Sequence, residues 1–156
     1  MSGVLTQKIS HGSAIVIDIV MPGQTNHYGT LFGGVLMAQM DKAANIAATR
    51  YAKTDCVTVS VDNLVFQKPI KLGETAIASA NVIYVGKTSL LVRVKAESEA
   101  QSGEKKLVIA CADFVFVAVD KNGKPLVVPQ PILETDDERR LFLRGKEIKD
   151  NMRRLC

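Results

Sequence analysis

Phe32-Gly33-Gly34-Val35-Leu36-Met37-Ala38-Gln39-Met40-Asp41-Lys42-Ala43-Ala44, continuing through Asn45-Ile46-Ala47-Ala48 to Tyr51-Ala52, is the stretch from which the fold is read. A glycine pair opens it, and apolar residues then cover most of a helical circumference. Such a pattern predicts one helix from Gly33 to about Ala52, buried nearly all round. Its many alanines let another layer approach closely. After Thr54-Asp55 the period changes to two, and Cys56 to Phe66 reads as a strand. Glu74 to Val85, Thr88 to Ala100 and Lys105 to Val119 read as three more strands. Gly86-Lys87 and Gln101-Ser102-Gly103-Glu104 are the connections between them. One long helix beside a run of long antiparallel strands makes an α+β fold, with the helix against the concave face of a curved sheet.

Upstream, Ser13 to Met21 alternates and is β-branched, which predicts another strand, followed by a loop to Phe32. Downstream, Asp120-Lys121-Asn122-Gly123-Lys124-Pro125 is a turn, and Val127 to Ile132 is extended. Glu134 to Arg154 is a second, polar helix, acidic at its start and basic at its end, as the helix dipole favours. The last long strand is apolar on both faces. A single sheet with one helix leaves one of them bare, so part of it is expected in a subunit interface.

The chain has 156 residues, 47% hydrophobic and 23% charged, with a formal net charge of +4. A single domain over 1–156 is expected, with a core at about 13–120 and the C-terminal helix at about 134–154. The positive balance favours an anionic partner. Cys56, Cys111 and Cys156 lack metal-ligand spacing, and with two histidines in the chain no zinc site is expected. No secretory leader and no membrane-length apolar run is visible, so a cytoplasmic location is expected, without a membrane partner. The basic residues of the last helix have no interleaved aromatics, which argues against nucleic acid.

Chemistry concentrates at the helix start. The first amides of a helix lack intrahelical partners, and glycines at 33 and 34 let a ligand approach them. They suit an anion, or a carbonyl oxygen becoming one. Asp41 follows two turns later, with Met37, Ala38, Ala44 and Asn45 as its helical neighbours and no cation to neutralise it. A carboxylate on a buried helix costs stability unless it has a partner or a role. Gly33 and Asp41 lie about 12 Å apart along one helix. An attacking water must reach both its base and the carbonyl carbon. Two antiparallel helices across a dimer axis meet that requirement better than one helix does. Asn26, after Thr25, is by default an Asx-turn residue, and His27 a loop histidine. Gly86-Lys87-Thr88-Ser89 has the ending of a P-loop, but Asn81 stands where its first glycine belongs and a strand follows. Arg93 and Lys95 share a strand face, either as a basic path or as solvated charges.

These segments together resemble one family. Met21-Pro22, Thr25-Asn26, Gly29, Phe32-Gly33-Gly34, Met40-Asp41 and Ala44 match the hot dog fold acyl-CoA thioesterases of the cytosolic and bacterial acyl-CoA hydrolase type. So do Val57-Thr58-Val59-Ser60-Val61-Asp62, Phe66, Lys68-Pro69-Ile70, Gly73 and Val85-Gly86-Lys87-Thr88-Ser89. The resemblance spans roughly residues 15 to 120. It implies a sheet wrapped around a central helix, a homodimer, and assembly of three dimers into a hexamer. The activity implied is hydrolysis of acyl-CoA to free acid and CoA, with no metal and no cofactor beyond the CoA of the substrate. Asp41 becomes the general base or nucleophile, Asn26 the residue that positions water or thioester, and Gly33 and Gly34 the oxyanion amides. Lys87, Thr88, Ser89 and Thr25 are expected to bind substrate. Two rivals are a hot dog dehydratase, which needs a His that the central helix lacks, and a non-enzymatic acyl-CoA or nucleotide-binding protein, to which Asp41 would be superfluous.

Overall fold

The computed structural model describes residues 3–152. The elements in chain order are β1 (Thr6–Lys8), β2 (Ser13–Ile19), α1 (Gly33–Ala52), β3 (Cys56–Phe66), β4 (Thr75–Val85), β5 (Ser89–Glu99), β6 (Leu107–Ala118), β7 (Gln130–Ile132) and α2 (Asp136–Asn151). Short 3₁₀ turns lie at Ile9–His11 and Pro22–Gln24. Five strands form one antiparallel sheet in the order β2-β4-β5-β6-β3, so β2 and β3 are its edges. The short parallel pair β1–β7 escapes a sequence reading, since three-residue strands carry no periodicity.

The central helix packs its small residues on the sheet. Met40, Ala43, Ala44, Ala47, Ala48 and Tyr51 are fully buried, against Ala78, Ala80, Leu90, Val92, Val94, Ala96 and Phe114. Alanine facing alanine brings helix and strands close, which is why so small a helix surface seals the core. The Tyr51 hydroxyl donates to the Pro129 carbonyl, 2.9 Å, so its buried oxygen is satisfied. Lys53 closes the helix in the left-handed conformation (φ 59°) and donates to the Thr49 carbonyl.

Two expectations need correction. First, α1 is not buried all round: Met37 and Ile46 are 36% and 39% exposed, and Lys42 is exposed beside them. The sheet wraps one side of the helix and leaves a stripe open. Second, the outer face of the sheet over β4, β5 and Val115 of β6 is covered within the chain, while Leu107 and Val108 of β6 stay exposed. Helix α2 lies across it, with Ile148 and Met152 against Ile83, Leu91 and Val115. That helix is therefore amphipathic rather than simply polar. Gly145 marks the closest approach, since a Cβ there would sit 2.8 Å from Tyr84 Cβ. Both edge strands keep apolar residues exposed: Val57, Val59, Val61, Val65 and Phe66 on β3, and Ile15, Ile17 and Ile19 on β2. Helix α2 begins with a capping box: Thr135 Oγ1 accepts from the Glu138 amide at 3.1 Å, and the Glu138 carboxylate accepts from the Thr135 amide at 3.2 Å. Arg153 and Arg154, expected at its end, and Cys156 lie outside the described residues.

Candidate active site

Asp41 sits half-buried on the margin of the open stripe of α1. The Thr58 hydroxyl, from edge strand β3, donates to Asp41 Oδ1 at 2.8 Å. Oδ2 has no hydrogen-bond partner among the described residues. One oxygen is thus held while the other is free to take a proton. Met37, one helical turn before Asp41, is exposed beside it, so the carboxylate borders the open stripe of α1. Thr58 was quoted in the sequence only as part of a strand motif. Its role is invisible there, because nothing local says which strand face meets Asp41.

The loop before α1 forms a second group. Asn26 staples it: Oδ1 accepts from the Tyr28 amide at 3.0 Å and from the Thr30 amide at 3.2 Å. Its Nδ2 donates to Thr30 Oγ1 at 3.0 Å, and Thr30 Oγ1 also reaches Oδ1 at 3.2 Å. An amide nitrogen carries two hydrogens, so one remains for another acceptor. Thr25 turns its hydroxyl back to the Pro22 carbonyl, 2.8 Å, so within the chain it is a loop residue. The Phe32 amide donates to the Gln24 carbonyl, 2.9 Å, which ties this loop to the helix start. Helix α1 begins at Gly33 with Phe32 as N-cap and no side-chain acceptor over its first amides. A Cβ at Gly34 would sit 2.8 Å from the Phe32 ring, and one at Gly33 would touch the Phe66 ring at 3.4 Å. An apolar groove lined by Leu31, Leu36, Phe66, Pro69, Ile70 and Ile109 opens beside Gly33.

Lys87 and Thr88 lie in the β4–β5 turn, and Ser89 opens β5. Their carbonyls are taken by the amides of Val128, Ala118 and Gly86 at 2.9, 3.0 and 2.8 Å, and the Lys87 side chain is exposed. The next residue, Leu90, shares a cross-strand row with Phe116 and Thr58. This turn therefore lies toward the Thr58 end of the sheet, whereas Phe66 of the same strand touches the Gly33 position. One chain presents two half-sites: Asn26 with Gly33 and Gly34 at the helix start, and Asp41 with Thr58 further along. Their separation on α1 is about 12 Å. Arg93 and Lys95 make no basic path. Arg93 is locked by paired hydrogen bonds of 2.9 and 3.1 Å onto Asp113, and Lys95 pairs with Glu97 at 3.2 Å. The histidines also stand aside: His11 bonds Gln7, and His27 leans on Tyr28. Burial raises the Cys56 thiol to about 11, so it stays neutral two residues from Thr58.

Comparison with known proteins bears on the family and the fold. The family model of the thioesterase superfamily matches residues 28–104. An uncharacterized acyl-CoA thioester hydrolase of Bacillus subtilis is 41% identical over 120 residues, covering 76% of this chain and 69% of its own. The chain belongs to the acyl-CoA thioester hydrolase family. The cytosolic acyl coenzyme A thioester hydrolase of Rattus norvegicus is 34% identical over 88% of this chain, which spans 37% of that longer protein. Among solved structures, an apo-hexameric acyl-CoA thioesterase superposes with TM-score 0.89 at 30% identity, covering 95% of each chain. An acyl-CoA hydrolase from Staphylococcus aureus, solved with butyryl-CoA, CoA and CoA disulfide, superposes with TM-score 0.83 at 34% identity, covering 93% of this chain and 90% of its own. Its Asp→Ala, Asn→Ala and Thr→Ala variants have also been solved. Members of this family with this fold share the hot dog architecture: a sheet wrapped around a central helix.

Proposed function

We propose that this chain, acting as one thioesterase domain, hydrolyses acyl-CoA thioesters, with each active site shared between two copies. The observation that carries the proposal is the Asp41–Thr58 pair, a half-buried carboxylate held on one oxygen and open on the other. The three variants made in the Staphylococcus aureus hydrolase change an Asn, an Asp and a Thr at the same intervals along the chain as Asn26, Asp41 and Thr58 here, which supports the choice of residues.

In this reading Asp41 from one copy takes a proton from water, and the oxygen attacks the thioester carbonyl. The Gly33 and Gly34 amides of the neighbouring copy stabilise the oxyanion that develops. The spare Nδ2 hydrogen of that copy's Asn26 orients the water or the carbonyl. Collapse breaks the C–S bond. The proton held by Asp41 passes to the leaving CoA thiolate, leaving a free acid and a thiol. Lys87, Thr88 and Ser89 contact the CoA moiety. Two copies meet across the open stripe of α1 and the bare apolar β3, and three such dimers form a hexamer. A cytoplasmic location suits CoA chemistry. The test is CoA release from a saturated series, butyryl- to palmitoyl-CoA, by wild type and by Asp41→Ala. Loss of a general base costs about 10²–10⁴-fold in rate. A folded Asp41→Ala protein with normal turnover would sink the assignment.

A further inference from the structure

Edge strand β3 is registered on β6 along one side, but the register breaks just after Thr58, and on its other side the strand is unpaired, so other contacts set how close this end lies to α1. The Asp55 carbonyl, just before the strand, accepts from the Val119 amide at 2.9 Å. Carbonyls alternate in direction along an antiparallel strand, so the next one, Cys56 O, faces away from β6. That carbonyl is taken by Asn45 Nδ2 of α1, at 2.9 Å. Asn45 lies one helical turn beyond Asp41, on the same face. Cys56 lies two residues before Thr58, so both point their side chains to the same face of the strand. Two links therefore join α1 to β3 side by side: Asn45 to the Cys56 carbonyl, and Asp41 to the Thr58 hydroxyl at 2.8 Å. Asn45 is half-buried, and its amide takes no part in the chemistry described above.

We propose that Asn45 is a positioning residue that ties the Cys56–Thr58 end of β3 to α1 and so holds the Thr58 hydroxyl on Asp41. The proposal rests on the reading of Asp41 as the base. Without Asn45, the Cys56–Thr58 end of β3 loses its tie to α1 and lifts from the helix at the irregularity beside Thr58, while the rest of the strand stays registered on β6. The Thr58 hydroxyl then drifts from Oδ1, and the carboxylate loses the orientation that aims Oδ2 at water. Substrate contacts at the CoA turn are untouched.

The experiment is a double-mutant cycle on the full chain with Asn45→Ala, Thr58→Ala and the pair, assayed with butyryl- to palmitoyl-CoA. Misplacement of a reacting group by about 1 Å costs up to roughly 10²-fold, so kcat of Asn45→Ala should fall roughly 10- to 100-fold with KM nearly unchanged. In the Thr58→Ala background the same change should cost little, because the contact it protects is already gone. Losses that multiply, or a fall in kcat/KM carried by KM, would overturn the proposal. Asn45→Leu, similar in size, replaces the alanine variant if that one does not fold. Failure of both to fold would make Asn45 a folding residue and also overturn it. An inert wild type, or a fully active Asp41→Ala protein, would instead overturn the functional reading itself.

Discussion

Asn26 shows how one side chain serves two ends. Its Oδ1 organises the loop through the amides of Tyr28 and Thr30, while Nδ2 keeps one hydrogen beyond its bond to Thr30. The two roles separate by substitution. Asn26→Asp retains the acceptor that staples the loop and loses the donor. It should melt near wild type while turnover falls roughly 10²-fold, the usual cost of one donor at a reacting oxygen. Asn26→Ala should lose both. Turnover unchanged in the aspartate variant would leave Asn26 as a loop staple alone. Cys56 offers a pH test at the same scale. Its folded thiol titrates near 11 against an ordinary value of 9.0, because burial penalises the thiolate. A raised acid pKa gives stability that is full below pH 9 and fades as pH rises toward 11. Alkylation of Cys56 in the native protein at pH 8 should therefore lag far behind that of the urea-unfolded chain, read by peptide mass spectrometry. Equal rates would contradict the burial.

At the scale of elements, α2 is the piece that covers the outer face of the sheet's centre. It covers Ile83, Leu91 and Val115, which the sheet and central helix leave outside the main core. The contact depends on Gly145, with Tyr84 and Ile83 atoms 2.8–3.4 Å from where a Cβ would be. Alanine is the better helix former by about 1 kcal/mol. Against that, overpacking a tight contact costs about 1–3 kcal/mol. The clash is with a Cβ and a branched side chain rather than a flexible tip, so the penalty wins. Gly145→Ala should lower Tm by a few degrees, about 1 kcal/mol net in a chain of this size. A raised Tm in a calorimetric scan would mean that α2 rests loosely on the sheet. Similar logic explains why the seat of α2 is not legible in the sequence: a helix with Leu141, Phe142 and Ile148 spread among many charges reads as polar until its seat is known.

For the whole molecule, the decisive arrangement is that one chain holds two half-sites apart. The proposed shared site makes a numerical prediction. Asp41→Ala and Asn26→Ala proteins, each inactive, are mixed under conditions that let subunits exchange. A mixed dimer has one site with both defects and one with neither. About half the dimers are mixed, so activity should return to about a quarter of wild type. Verified exchange with no recovery would place Asp41 and Asn26 in one site of one chain.

The sequence by itself determined the long helix from Gly33 to Ala52, the five long strands to within two residues, and the family. Each of these rests on local periodicity or on short motifs in order, and neither needs knowledge of distant contacts. It also picked out Asp41, because an unpaired acid among apolar neighbours is conspicuous in one dimension. Only the tertiary structure decided that Thr58 faces that helix and Asn45 reaches β3, that Arg93 spends its charge on Asp113, that α2 packs on Ile83, Leu91 and Val115, and that one stripe of α1 stays open. Those are contacts between residues far apart in the chain. Their geometry is set by how the sheet curves and where its edge strand comes to rest, and no spacing along the sequence encodes it.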